Sequence, residues 1–356
     1  MVIKIGKDKR VTIYDIAEKI GASPSTVSRV LGNIDYPVSL ELRERVLEAA
    51  KTMNYHPNLI ARNLKKRNSR NIGIIIPSID NPFYPSVIRG IEDAAYAKDY
   101  TFTLCSCDNI DGREETYFKQ LTENNVSGII TIFTQPQMAS LKSYMKLGGV
   151  VLTVHGEKPI NKDFISFCFD HQQQAYDATT HLIEYGHRKI AFFIAPLINS
   201  IRRLKIEGYK KALAAAGIEF DLRYCYFQEK ESSLNYYDNS LESQGGYELA
   251  QRMLKYTPEV TGIICMNDMM ALGCISGLKE SGYSVPQDYS VVGFDDLFFS
   301  NLISPKITTV RLEKYKLGQM AVKTIIEAIE KGCEAKQYDL SKYAYLVVRE
   351  SSGKPR

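Results

Sequence analysis

The chain has 356 residues, 44% hydrophobic and 24% charged, which supplies a sizeable core and excludes a disordered chain. No run approaches the roughly 18 apolar residues of a membrane span, and the opening MVIKIGKDKR lacks the apolar stretch of a secretory leader, so a cytoplasmic protein without a membrane partner is expected. The net charge of +4 is uneven: residues 1–70 carry 14 Lys and Arg against 7 Asp and Glu, whereas the remainder carries 31 against 34, so the basic head either meets a polyanion or is a solvated tail.

The head is patterned. TIYDIAEKI places Ile13, Ile16, Ala17 and Ile20 on one helical face, with Thr12 as N-cap and Asp15 three residues on. Gly21 can supply the left-handed turn that ends this helix. Ser23 then caps a second helix with Pro24 at its first position, and Gly32 ends it. That second segment, SPSTVSRVLGN, has only Val27, Val30 and Leu31 to turn inward; its other face is small, hydroxylated and carries one arginine, Arg29. Ser39 caps a third helix whose apolar positions Leu42, Val46, Leu47, Ala50 and Met53 can close a three-helix core. Two helices joined by a tight glycine turn and backed by a third form a helix-turn-helix, although another small helical bundle has the same periodicity.

Pro57 stops the third helix, and Asn58 can cap a short segment, LIARNL, followed by Lys65, Lys66, Arg67 and Arg70. Six or seven residues do not hold a helix alone in water, so this is either a charged linker or a segment ordered by phosphates.

From Asn71 the pattern changes to strand and helix in alternation. Strands are predicted at 72–77, 101–105, 128–132, 150–154, 190–194, 262–265 and 290–292. Helices are predicted at 85–98, 113–124, 175–185, 203–216, 245–256, 270–281 and 315–331. About 280 residues is generous for one doubly wound sheet, so two lobes are expected. No GxGxxG follows the first strand, and neither GxxxxGK[ST] nor GxSxG occurs, which argues against nucleotide-phosphate cradles and hydrolase elbows of those types. The seven cysteines include no CxxC pair and the five histidines have no metal-ligand spacing, so no disulfide framework, metal or cofactor is expected.

Ligands of open α/β sheets bind beyond the carboxyl ends of the strands. There the chain offers SIDNPFYP, His155, MNDMM and FDD. Asn and Asp can pair with vicinal hydroxyls, and the rings of Phe83 and Tyr84 suit an apolar ring face. Each has a plainer use: helix capping for Asn267 and Asp268, turn chemistry for Asp295 and Asp296, hinge packing for Phe83 and Tyr84.

Taken together, TIYDIAEKIGASPSTVSRVLGN, NYHPNLIARNL, IGIIIPSIDNPFYPSVIRGIEDAA, ATTHLIEYGHRKIAFF, CMNDMMALG, SVVGFDD and LVVRES resemble, in order and across nearly the whole chain, the lactose/galactose-repressor family of bacterial transcription regulators. The resemblance implies an α/β fold class: an N-terminal all-α helix-turn-helix headpiece at 1–56, a hinge helix and linker at 57–70, and a two-lobed periplasmic-binding-protein-like core with parallel sheets at 71–352. The N-lobe is placed at about 71–169 and 303–333, the C-lobe at about 170–302 and 334–352. It implies a homodimer on a palindromic double-stranded DNA operator, a sugar as small-molecule effector, and a cytoplasmic, nucleoid-associated location.

By family position, Pro24, Ser25 and Arg29 face bases, and Tyr14, Ser23, Thr26, Ser28 and Asn33 lie near phosphates. Asn58, Ala61 and Leu64 belong to the hinge, with Leu64 wedging the minor groove. The effector cleft carries over to Phe83, Tyr84, His155, Asp170, Asn267 and Asp295. Lys205 stands where the family usually has arginine, a point donor in place of a planar fork, with Arg202 or Arg203 able to compensate. The segment 226–246 is long for the family and can bring Tyr236 or Tyr237 to the cleft mouth. A chain stopping soon after LVVRES, without a leucine-heptad tail, implies a dimer rather than a tail-tethered tetramer. A purine-like ligand or a phosphorylated carrier protein remains an alternative signal. A carbohydrate-processing enzyme or a solute-binding protein is a distant alternative, since no nucleophile–base pair is evident and the head has no place in a transporter.

Overall fold

The computed structural model describes residues 11–31, 37–53, 55, 69–108, 110, 112–133, 138–155, 164–195, 200–228, 240–332 and 336–356, without the side chains of Met138, His155, Ser240 and Leu241. The chain forms two compact units, Met1–Arg67 and Asn68–Arg356.

The first unit is built by local chemistry. Helix α1 spans Ile13–Ile20, α2 spans Pro24–Leu31 and α3 spans Leu40–Thr52. A reciprocal capping box opens α1: the Thr12 hydroxyl accepts from the Asp15 amide, and Asp15 Oδ2 accepts from the Thr12 amide at 2.6 Å. Gly21, at φ 69°, turns the chain into α2. Ile16, Ala17, Ile20, Val27, Val30, Val46, Ala49 and Ala50 form the core. Leu47 is a correction: it is 51% exposed, because the inward face of α3 runs through Val46, Ala49 and Ala50 and leaves residue 47 one step around the helix.

Among its described residues, the second unit holds two six-stranded sheets. The first contains β1 (Asn71–Ile76), β2 (Thr101–Ser106), β3 (Gly128–Ile132), β4 (Val150–His155), β5 (Ile165–Cys168) and β11 (Gln337–Asp339), in the order β11-β5-β4-β3-β1-β2. The second contains β6 (Ile190–Ile194), β7 (Cys225–Phe227), β8 (Gly262–Cys265), β9 (Ser290–Asp295), β10 (Thr308–Leu312) and β12 (Ala344–Val347), in the order β12-β10-β9-β8-β6-β7. Ladders are parallel except that between β10 and β12.

Helices α4 (Phe83–Tyr96) and α11 (Lys314–Lys331) share one apolar cluster with the first sheet, whereas α5 (Arg113–Glu123) and α6 (Met138–Lys146) share another with its opposite face. Helices α7 (His171–Glu184), α8 (Ser200–Ala215), α9 (Ser240–Tyr256) and α10 (Asp268–Glu280) pack with the second sheet. This alternation gives two lobes, each with its own sheet. Helices α4 and α11 meet through glycine: a Cβ on Gly318 would fall 2.1 Å from the Val87 carbonyl, and one on Gly90 2.0 Å from that of Tyr315.

The lobe boundaries differ from the expectation at the second and third crossings. Residues 308–312 pair with β9 and belong to the second sheet, not to the N-lobe. Residues 337–339 pair with β5 and belong to the first sheet, not to the C-lobe. Short strands are assigned by their hydrogen-bonding neighbours, which their own sequence does not name. Strands β5, β7, β10, β11 and β12 and helix α6 were not among the predicted elements. Among the described residues, no helix is long and apolar enough to cross a membrane.

Candidate functional site

Within the first unit, α2 divides cleanly by face. Val27 and Val30 are buried, whereas Ser25, Ser28 and Arg29 are exposed. Ser23 Oγ accepts from the Thr26 amide at 3.1 Å and lies 2.8 Å from both Ser25 Oγ and Thr26 Oγ1. The hydroxyl therefore caps the helix before it meets any partner. Tyr14 stands out from α1 at 68% exposure. Arg45 Nη2 donates to the Ile20 carbonyl at 2.8 Å and ties α3 to the end of α1. The result is a rigid helix offering short hydroxyls and a guanidinium, a shape that fits a major groove. Asn33, Asn58, Ala61 and Leu64, with the whole hinge segment from 56 to 68, lie outside the described residues.

In the second unit, the carboxyl ends of the two sheets bring together an aromatic wall and a charged one. Phe83 and Tyr84 open α4 with their rings edge to face, 5.3 Å between centroids. Phe133 lies 5.8 Å from Phe83, 6.4 Å from Phe169 and 6.0 Å from the His171 ring. In the second lobe Lys205, 5% exposed, donates to the Met266 carbonyl at 2.9 Å. Burial lowers its pKa to about 8, while the charges of Asp295 and Asp268 pull it back up. The Asp295 carboxyl is raised by burial and drawn down by Lys205 and Lys314.

Asn267 has two tasks. Its Oδ1 accepts from the Met270 amide at 2.9 Å, capping α10, and its Nδ2 donates to Glu242 Oε2 at 2.7 Å. Capping and a place in the cleft are thus compatible. Asp268 serves structure: buried, it accepts from the Leu297 amide and from the Ser300 and Thr309 hydroxyls. Asp296 likewise turns away, accepting from Arg311 at 2.5 Å and from Arg349 at 2.6 Å. The two neighbouring aspartates therefore diverge.

Asp170 is not brought into this group. It is exposed, and its Oδ1 caps α7 by accepting from the Gln173 amide at 2.8 Å. The next helical turn takes its place. His171 Nδ1 donates to Gln174 Oε1 at 3.0 Å, leaving His171 Nε2 as an acceptor and the Gln174 amide nitrogen as a donor, both buried and without a hydrogen-bond partner among the described residues. Burial, with help from the charge of Lys205, lowers the His171 pKa to about 3, so the ring is neutral. Lone buried donors and acceptors of this kind are costly unless a ligand or water meets them.

Sequence reasoning missed His171, Gln174 and Glu242. The Asp170 cap three residues before Gln173 signalled a helix starting at His171 rather than Ala175. Glu242 lies one turn before the predicted start of α9, and its carboxyl, raised by burial, faces Asp295, Arg202 and Lys205. The side chain of His155 and the residues Tyr236 and Tyr237 lie outside the description.

Two family models match this chain. Residues 69–347 match periplasmic binding proteins and the sugar-binding domain of the LacI family, and residues 12–58 match bacterial regulatory proteins of the lacI family. The HTH-type transcriptional repressor PurR of Mannheimia succiniciproducens is 30% identical over 343 residues, 96% of this chain and 98% of that protein. The structure of the lac repressor dimer bound to operator and the anti-inducer ONPF superposes with a TM-score of 0.78 at 26% identity, covering 97% of this chain and 100% of that one. A LacI-family transcriptional regulator from Enterococcus faecium with bound ribose gives 0.69 at 27% identity, over 80% and 100% of the two chains.

Proposed function

This chain belongs to the lacI family of bacterial regulatory proteins, and we propose that its α2 face reads operator DNA while the cleft between its lobes binds a sugar that controls operator affinity. It is a DNA-binding transcriptional repressor of the effector-regulated kind. The observation that carries the DNA-reading role is the division of α2, with Val27 and Val30 locked into the core and Ser25, Ser28 and Arg29 exposed. Pro24, Ser25 and Arg29 meet base edges, Arg29 preferring guanine, and Tyr14, Ser23, Thr26 and Ser28 meet phosphates. It acts as a dimer, two headpieces on two half-sites of a palindrome, as the lac repressor neighbour is bound to its operator. A cytoplasmic regulator rather than an enzyme fits relatives that are themselves transcriptional regulators.

The cleft supports a small neutral ligand rich in hydroxyls. Hydroxyl groups both donate and accept, which complements Asp295, Asn267, Glu242, Lys205, His171 Nε2 and the Gln174 amide in one site. Apolar ring faces suit Phe83 and Phe133. The E. faecium regulator holds ribose. A purine is the second reading, favoured by the chain of rings from Tyr84 through Phe83 and Phe133 to Phe169 and by the PurR relative.

The decisive experiment selects an operator from random duplexes with the wild-type protein and titrates it against Arg29→Ala. Loss of about 1–3 kcal/mol on the selected site, with random DNA nearly unaffected, is expected. Equal loss on both would overturn base reading by Arg29. Thermal shifts with sugars, purines and sugar phosphates then separate the effector classes.

A further inference from the structure

One cation holds two successive backbone carbonyls at the edge of the cleft. Lys314 Nζ donates to the carbonyls of Asp295 and Asp296, the latter at 2.9 Å. Both aspartates have positive φ, 97° and 49°, a region that side chains other than glycine occupy only when the surroundings hold them there. This backbone twist sends the two carboxylates apart: Asp295 feels Lys205, whereas Asp296 is gripped by Arg311 and Arg349.

The turn lies at the end of β9, in the second lobe. On that side it is pinned by Asp268, which accepts from the Leu297 amide at 2.9 Å, and by Thr309, whose hydroxyl accepts from the Asp296 amide at 3.2 Å. Lys314 comes from the other side. It is the first residue of α11, which packs on the first sheet and crosses α4 at Gly90 and Gly318. Its Nζ also stands 5.9 Å from the centroid of the Phe83 ring. One side chain therefore links the backbone under Asp295 to the helix that opens with Phe83 and Tyr84. Burial depresses the proton affinity of Lys314, and the charges of Asp295 and Asp296 restore it.

We propose that Lys314 is a positioning residue: it fixes the Asp295–Asp296 turn from the opposite lobe, so that engagement of Asp295 by a ligand is transmitted to α11 and α4. The second half of this statement rests on reading the cleft as the effector site. A lysine serving only to solubilise the start of α11 would not have its ammonium group turned onto two carbonyls of the other lobe. Coupling between sites requires an element whose two arrangements each site biases, and a turn held from both lobes is placed to serve as one.

The test is amide hydrogen exchange on the full-length protein, comparing wild type with Lys314→Met and Lys314→Arg. Without ligand, the amides of Asp296 and Leu297 should exchange about tenfold faster in Lys314→Met and return toward wild type in Lys314→Arg, which still donates. Unchanged exchange at these two amides overturns the proposal. Should the methionine variant not fold, Lys314→Gln, which keeps one donor group, is expected to exchange at an intermediate rate. D-ribose and hypoxanthine are then added as probes. The one that protects α4 in wild type should leave α4 unprotected in Lys314→Met even at saturation, and full protection there would overturn the transmission. Failure of both probes to protect wild type counts against the effector reading alone, and the ligand-free exchange still decides the role of Lys314.

Discussion

Lys205 Nζ stands 3.7 Å from the centroid of the Phe294 ring, so the ammonium group lies over an aromatic face inside the second lobe. A planar guanidinium at this position would stack on the ring and present a fork; an ammonium rests there as a point charge that also donates to the Met266 carbonyl. Lysine at position 205 therefore has a packed environment of its own.

This burial has a measurable sign. The Lys205 pKa falls to about 8 from an ordinary 10.5, so between these values the unfolded chain holds more protons than the folded one. Its contribution to stability rises with pH across that window, by up to about 3 kcal/mol at 1.36 kcal/mol per unit. The difference in unfolding free energy between wild type and Lys205→Met should shift toward wild type from pH 7.5 to pH 10. Urea titrations at both pH values check this, and a pH-independent difference would refute the buried charge.

The last segment of the chain is tied down by two histidines. His181 Nε2 lies 2.9 Å from Ser352 Oγ, and His187 Nε2 donates to the Gly353 carbonyl at 2.9 Å. Burial lowers both pKa values, that of His181 to about 4, each below the ordinary 6.5. The unfolded chain then binds more protons as the pH drops, and the stability these residues supply is lost from pH 6.5 toward 4. Melting temperatures across that range should fall less steeply in His181→Gln than in wild type. An unaltered slope would mean that His181 does not titrate with unfolding.

The crossing of α4 and α11 leaves no space for a methyl group, since each glycine faces the other helix's backbone. Gly318→Ala should destabilise the second unit by about 1–3 kcal/mol, the usual cost of overpacking. A lower urea midpoint with unchanged slope is the expected result, and Gly90→Ala should behave alike. Wild-type stability in both would mean that the helices separate freely.

What could be read from the sequence follows from how far each interaction reaches. The caps at Thr12 and Ser23, the turn at Gly21 and the inward set Ile16, Ala17, Ile20, Val27 and Val30 are contacts within a few residues, and all were legible. The continuous apolar runs at β1, β3, β6 and β8 were legible for the same reason, being buried on both faces. Helix starts are less legible. Helix α7 begins at His171, α9 at Ser240 and α10 at Asp268, each before its predicted first residue, because apolar periodicity begins only after the polar first turn. His171, Gln174 and Glu242, which were not among the expected site residues, sit in those first turns.

The two-part plan of a helical head and an α/β body, the inward and outward faces of α2, and the polar and aromatic strand-end motifs at Phe83, Asn267 and Asp295 are legible in the sequence. These depend on periodicity, capping and residue type, which are written locally. Long-range pairing places residues 308–312 in the second sheet and 337–339 in the first, seats Asp170 as a helix cap outside the charged cluster, and brings Lys314 to the carbonyls of Asp295 and Asp296. Those outcomes depend on which distant strand accepts a hydrogen bond and on where the chain crosses between lobes, and a short segment carries no record of either.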